Sequence, residues 1–168
     1  LWSNSLQNYR NNGVVNVVLI VLIVLGGLGW RVTNDLWINR RSLKLRNLTL
    51  HTRLVIRTSF ILIAFGVFGL LFTESFIKGN FFSTITFQDR ILTALFSSVS
   101  ARTAGFTNIP ISIQTVSDSG LLLLMFLMFI GASPGGTGGG IKTTTIAALM
   151  AATRTTLRGQ KEIIIRNR

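Results

Sequence analysis

Two short stretches of this 168-residue chain carry residue types at spacings that could do chemistry. The first is Ser100-Ala-Arg-Thr-Ala-Gly-Phe106, which follows the apolar segment Arg90–Ala101. Twelve residues make roughly 18 Å of helix, too short to cross a hydrocarbon core of about 30 Å. If that segment dips into a membrane, its C-terminal end points at the membrane centre, and the partial negative charge there favours a cation. The chain must then climb back as extended backbone, with Gly105 supplying a conformation that other residues resist. Thr103-Ala104-Gly105-Phe106 reads as a degenerate form of the TVGY part of a potassium filter, in which backbone carbonyls replace the ion's hydration shell. The plain alternative is a surface helix in an external loop.

The second stretch is Gly131-Ala-Ser-Pro-Gly-Gly-Thr-Gly-Gly-Gly140, followed by Ile141-Lys142-Thr143. Gly135-x-x-x-x-Gly140-Ile141-Lys142-Thr143 comes near the phosphate-binding pattern G-x-x-x-x-G-K-[ST]. Ile141 is one residue too many, and it rotates Lys142 about 100° around the following helix. No apolar strand ending in Asp follows to hold a magnesium ion. The better reading is a loop inside a broken membrane span, able to block or open a permeation path, with Lys142 and Thr143–Thr145 as polar handles. Non-helical backbone at that depth is tolerated only where it lines a cavity or is buried in protein.

Other chemistry is poorly provided for. There is no Cys, so disulfides and thiolate metal sites are excluded, and the single His51 cannot build a histidine metal centre. The five acids at 35, 74, 89, 118 and 162 are scattered, against paired-carboxylate catalysis. No enzyme activity and no cofactor are expected.

The elements that must position the two stretches follow from the apolar runs. Val14–Trp30 covers about 25 Å as a helix, and extending it to Trp37 closes the gap to a full span. Trp30 and Trp37 then mark one interface, and Trp2 and Tyr9 the other. A buried helix of a soluble protein is the competing reading. A second run covers Thr58–Phe72, with its helix starting near Leu50–Leu54 and ending by Glu74, Lys78 and the Gly79-Asn80 turn. Gln88-Asp89 places an acid in the first turn of the short segment after it. Leu121–Ile130 and Ile141–Leu157 flank the glycine loop, and neither half spans alone.

Composition supports a membrane setting. The net charge is +12, with 17 Lys+Arg against 5 Asp+Glu, yet only 13% of residues are charged. A soluble domain has roughly 25%. With a mean hydropathy of +0.54, the chain is basic and apolar at once, which argues against nucleic-acid binding and for basic loops between spans. Residues 31–57 hold Arg31, Arg40, Arg41, Lys44, Arg46, Arg53 and Arg57 against Asp35, and the tail from Arg154 is also basic. Lys and Arg are balanced by acids over 73–120. The positive-inside rule puts both basic segments in the cytoplasm and 73–120 outside. The chain opens on Leu1 in a polar stretch unlike a signal peptide, so a piece of a longer protein is expected.

The expected organisation is an all-α polytopic membrane protein. It has an outer segment 1–13, a span 14–37, a basic cytoplasmic linker 38–49 and a span 50–73. An outer loop 74–88 leads to a re-entrant pore helix 89–101 and a filter strand 102–107. An outer loop 108–119, a discontinuous span 120–156 holding the intramembrane loop 131–140, and a basic cytoplasmic tail 157–168 complete it. A phosphate-loop nucleotide-binding membrane protein and a non-conducting membrane scaffold are the alternatives.

At SSVSARTAGF (97–106) and FIGASPGGTGGGIKTTT (129–145) the sequence resembles the Trk/Ktr/HKT superfamily of potassium transporters, most closely its bacterial Ktr branch. His51-Thr52 opening a span and Leu25-Gly-Gly-Leu-Gly29 ending one also match that pattern. The resemblance implies four repeats of span, pore helix, filter and span around one pore, of which this chain holds the end of the second and all of the third. It implies Thr103, Ala104, Gly105 and Phe106 as filter and ion-binding residues. It implies a gate loop made of Gly131, Ser133, Pro134, Gly135, Gly136, Thr137, Gly138, Gly139, Gly140 and Lys142. Potassium is then the transported ion, with no other metal. Implied partners are the membrane, the remaining repeats of the same protein, a second copy in a homodimer and a cytoplasmic ring of nucleotide-binding regulatory subunits. Nucleic acid is not among them. The implied location is the plasma membrane, crossed several times.

Overall fold

The computed structural model describes residues 6, 9, 10, 12–40, 48–75, 81–102, 104–109 and 115–159. Thr103 of the expected filter, Trp2 of the expected aromatic belt, Lys78, and the basic residues Arg41, Lys44, Arg46, Lys161, Arg166 and Arg168 lie outside them. Among the described residues the chain is helical and holds no strand; Ile130 and Ile141 pair as one isolated parallel bridge.

The first helix, α1 (Gly13–Leu28), starts where the Asn12 side chain accepts the Val15 amide at 3.3 Å. It is apolar on nearly every side, and its one buried residue is polar Asn16. The helix stops at Gly29, whose φ of 81° no other residue adopts easily. The chain then turns by 101° into α2 (Trp30–Ile38). The segment expected as one span over 14–37 is therefore two helices meeting at a glycine. The extension past Gly29 rests on length, because Val14–Trp30 alone falls short of a full span.

The Asp35 carboxylate of α2 accepts the Thr49 backbone amide at 3.0 Å, the Thr49 hydroxyl at 2.9 Å and the Asn39 side-chain Nδ2 at 2.9 Å. This fixes the start of α3 (Leu50–Ser75), where Thr49 Oγ1 accepts the Thr52 amide at 3.3 Å. At 26 residues α3 runs about 39 Å. It alone among the described helices is long and apolar enough to cross a membrane by itself; the bent α1–α2 pair qualifies only when taken together.

A single turn, α4 (Phe81–Thr84), leads into α5 (Phe87–Ser100), with Asp89 in its first turn. Helix α6 (Asp118–Phe129) is capped by Ser117, whose hydroxyl accepts the Gly120 amide at 3.0 Å. Glu74 at the end of α3 reinforces that cap, accepting the Ser117 amide at 3.0 Å and hydroxyl at 2.6 Å. Helix α7 (Thr143–Leu157) follows the glycine loop.

Helix α3 is the spine. Its Gly66 and Gly69 form notches where a methyl group would strike neighbours. At Gly66 it would meet Ser98 Oγ of α5, and Leu127 Cδ1 of α6 at 2.7 Å; at Gly69 it would meet Leu123 Cδ2 of α6 at 2.5 Å. Leu70, Phe82, Ala94, Ile109, Val116 and Leu124 close the core near the Ser75 end. Outside this core, large apolar side chains stand exposed, among them Val17, Leu22, Phe60, Phe68, Leu122 and Met128. A surface of that kind calls for a non-aqueous neighbour.

Candidate functional site

The geometry of the first motif follows from the way α5 runs down α3. Ala94 lies in the cluster with Leu70. One turn on, the Ser98 hydroxyl donates to the Ile63 carbonyl at 3.0 Å. Arg102 Nη2 then donates to the Ser59 hydroxyl at 3.3 Å. Ser59 is the tenth residue of α3, so α5 ends well short of the full length of α3. The chain then reverses. The Ala104 and Gly105 amides donate to the Ser100 carbonyl at 3.0 and 3.2 Å, and the Thr107 carbonyl accepts from the Leu6 amide at 3.0 Å. Ile109 is back in the cluster beside Leu70.

This returning segment is turn and irregular chain rather than the strand expected over 102–107, and in it the Ser100 hydroxyl donates to the Phe106 carbonyl at 2.5 Å. The carbonyls of Ala104 and Gly105 take no hydrogen bond among the described residues. Gly105 has a φ of 75°, and open space surrounds the position a Cβ would take. Its requirement for glycine is conformational rather than steric. Gly105, Phe106, Ser97 and Ser100 line an open cavity of about 340 Å³.

Asparagines that sequence reasoning left without a role hold the strand's far end. Asn108 Nδ2 donates to Asn16 Oδ1 at 3.3 Å. Asn16 Nδ2 in turn lies within reach of the carbonyls of Tyr9, Arg10 and Asn12, at 3.1, 3.0 and 2.9 Å. The available signal was one Asn interrupting an apolar run.

The second motif meets the end of the first at Arg102. Ala132 and Arg102 share the lining of a small cavity of about 20 Å³, room for one water molecule. Arg102 Nε has no partner among the described residues. The neck of the loop is closed by the Gly131 amide donating to the Ile141 carbonyl at 3.0 Å and the Ile141 amide to the Phe129 carbonyl at 3.1 Å. Gly131 is pressed against the Gly139 carbonyl and has no room for a side chain. Ser133 is fully buried, whereas Gly135, Thr137, Gly139 and Gly140 are exposed. Pro134, Gly136 and Gly138 are half-buried. Lys142 Nζ donates to the Gly138 carbonyl at 2.7 Å, so this ammonium ties the loop to itself.

Further bonds of the loop run to α1. The Ser133 amide donates to the Gly27 carbonyl at 3.1 Å and the Thr137 amide to the Gly26 carbonyl at 3.5 Å. A phosphate cradle needs free backbone N–H groups and a free lysine. Here Gly131, Ser133, Gly136 and Thr137 give their amides to carbonyls, and Lys142 is engaged as well. No cluster of three or more His, Cys, Asp or Glu that could hold a metal occurs among the described residues.

The profile of the TrkH family of cation transport proteins matches residues 1–168. Ktr system potassium uptake protein B of Vibrio alginolyticus is 35% identical over 167 residues, covering 98% of this chain and 35% of that protein. Its Bacillus subtilis namesake is 30% identical over 165 residues, covering 98% of this chain and 36% of the relative. Potassium/sodium uptake protein NtpJ of Enterococcus hirae is 34% identical over 164 residues, covering 95% and 34%. The chain thus spans about a third of the length of these relatives. All three names describe uptake proteins, and none names an enzyme.

Proposed function

The chain belongs to the TrkH family of cation transport proteins, and from that premise we propose that it supplies one filter strand and the gate of a potassium uptake pathway. The observation that carries the reading is the returning strand after α5. A helix of partial depth delivers its C-terminal end to the middle of α3, and the segment that climbs back leaves the Ala104 and Gly105 carbonyls without a partner among the described residues, with Gly105 lining an open cavity. Unpaired carbonyls exchange readily for the water around a potassium ion, and the dipole of α5 adds attraction from below. Thr103, Ala104, Gly105 and Phe106 form this chain's quarter of the filter. Gly105 is the residue whose backbone permits the turn.

The glycine loop from Gly131 to Gly140 is the gate beneath the filter. It stands at the depth of Arg102, where α6 ends and α7 begins, and blocks the way out. Arg102 braces the end of α5 through Ser59 rather than lining the path, because a fixed cation there would repel the permeating ion.

The exposed apolar faces of α1, α3 and α6 support a multi-pass chain in the plasma membrane, packed partly against lipid and partly against the repeats that complete the pore. The share of the relatives that this chain covers supports such further repeats in the same protein. A homodimer and a cytoplasmic nucleotide-binding ring complete the assembly; the relatives' designation as parts of a Ktr system supports a regulatory partner.

The test is uptake by the complete protein that contains this chain, in a host lacking its own potassium uptake. Gly105→Ser is expected to lower potassium affinity or selectivity over sodium. Unchanged uptake at low external potassium in that variant would overturn the filter assignment.

A further inference from the structure

The end of α1 is built around the loop. A helix leaves its last carbonyls without partners of its own, and α1 ends at Leu28 with the carbonyls of Gly26, Gly27 and Leu28 facing residues 133–137. The Ser133 hydroxyl lies 2.8 Å from the Gly27 carbonyl and also contacts the Leu28 carbonyl. The Ser133 amide reaches the same Gly27 carbonyl, and the Thr137 amide reaches Gly26. In the opposite direction the Trp30 amide, first in α2, donates to the Gly135 carbonyl at 3.4 Å.

The fit is made by backbone on both sides. A Cβ at Gly29 would lie 2.8 Å from both the Gly135 carbonyl carbon and the Gly136 nitrogen. A Cβ at Gly136 would lie 2.8 Å from the Gly27 oxygen. Main-chain atoms cannot swing aside, so only glycine permits this approach. We propose that the broken end of α1, Gly26 to Gly29, is the seat that holds the 131–140 loop in its closed position, with Ser133 as its latch. Ser133, Gly29 and Gly136 are thus positioning residues for gating, and the 101° bend at Gly29 exists to expose the seat. This rests on the loop being the gate.

This chain has no cysteine, so a pair introduced into it is its only thiol pair, and any cysteine elsewhere in the complete transporter is first replaced by serine. A Cβ at Gly26 would stand 3.7 Å from Thr137 Oγ1, with nothing closer, so a Gly26→Cys/Thr137→Cys pair has room and reach to form a disulfide. Potassium flux through the complete transporter is compared in the same protein before and after oxidation, and again after reduction. Oxidation is expected to form the cross-link and stop flux, and reduction to restore it. Ser133→Ala, which removes one side-chain hydrogen bond, is expected to raise flux about two- to tenfold without changing selectivity for potassium over sodium. A cross-link that forms and leaves flux unchanged overturns the seat, as does a pair that fails to cross-link. A parallel variant with a shortened 135–140 glycine run separates the two ideas. If shortening raises flux while the cross-link has no effect, the loop is a gate seated elsewhere; if shortening also changes nothing, the gate itself falls.

Discussion

At Gly105 and Asn108 the returning strand is held from both ends. The φ of 75° at Gly105 is a backbone requirement, since the space around it is open. Serine at 105 therefore fits sterically but distorts the strand, and function is expected to suffer more than folding. The Asn16–Asn108 contact fixes the strand's far end, and Asn16→Leu removes it with three carbonyl contacts. That change is expected to cost about 1–3 kcal/mol in stability and to lower selectivity for potassium over sodium. Thermal unfolding in detergent and paired uptake assays check the two effects, and unchanged selectivity would show that the contact is only structural. Sequence made the backbone turn at Gly105 legible because glycine is the residue that accepts such a φ. It left Asn16 unexplained because the partner lies 92 residues away.

At the scale of elements, α3 organises the molecule through its glycine notches. Gly66 admits both Ser98 and Leu127. Gly66→Val is expected to separate α5 and α6 from α3 and to cost at least about 1–3 kcal/mol, read as a lower melting temperature of the purified protein. A melting temperature equal to that of the unmodified protein would contradict the packing described. The apolar run around Thr58–Phe72 and the short length of the 90–101 segment announced α3 and α5, because length and hydropathy are local properties. The break between α6 and α7 was equally legible from six glycines in ten positions. The bend at Gly29 was not. Its cause is the approach of Gly135 and Gly136 from the far end of the chain, and no local pattern carries that. The Leu25-Gly-Gly-Leu-Gly29 run was visible as a match to a family pattern, yet its service to the loop appears only when both are seen together.

For the whole molecule, the +12 charge and the exposed apolar faces belong to one design. Arginines at the Ile38 end of α2 and the Leu50 end of α3 sit apart from the Glu74–Ser117 end, as a membrane orientation requires. On the proposed reading one filter strand leaves a ring incomplete, in keeping with a chain that covers about a third of its relatives' length. The central claim is that potassium crosses through a filter that includes Ala104 and Gly105. Its most direct test is potassium uptake at low external potassium by cells lacking their own uptake systems, carrying the complete gene for this chain or its Gly105→Ser variant. The account predicts that the unmodified gene restores uptake and growth, and that the variant restores them only at raised potassium or with sodium admitted. Equal uptake by the two, or none from the unmodified gene when its product is in the membrane, would contradict it.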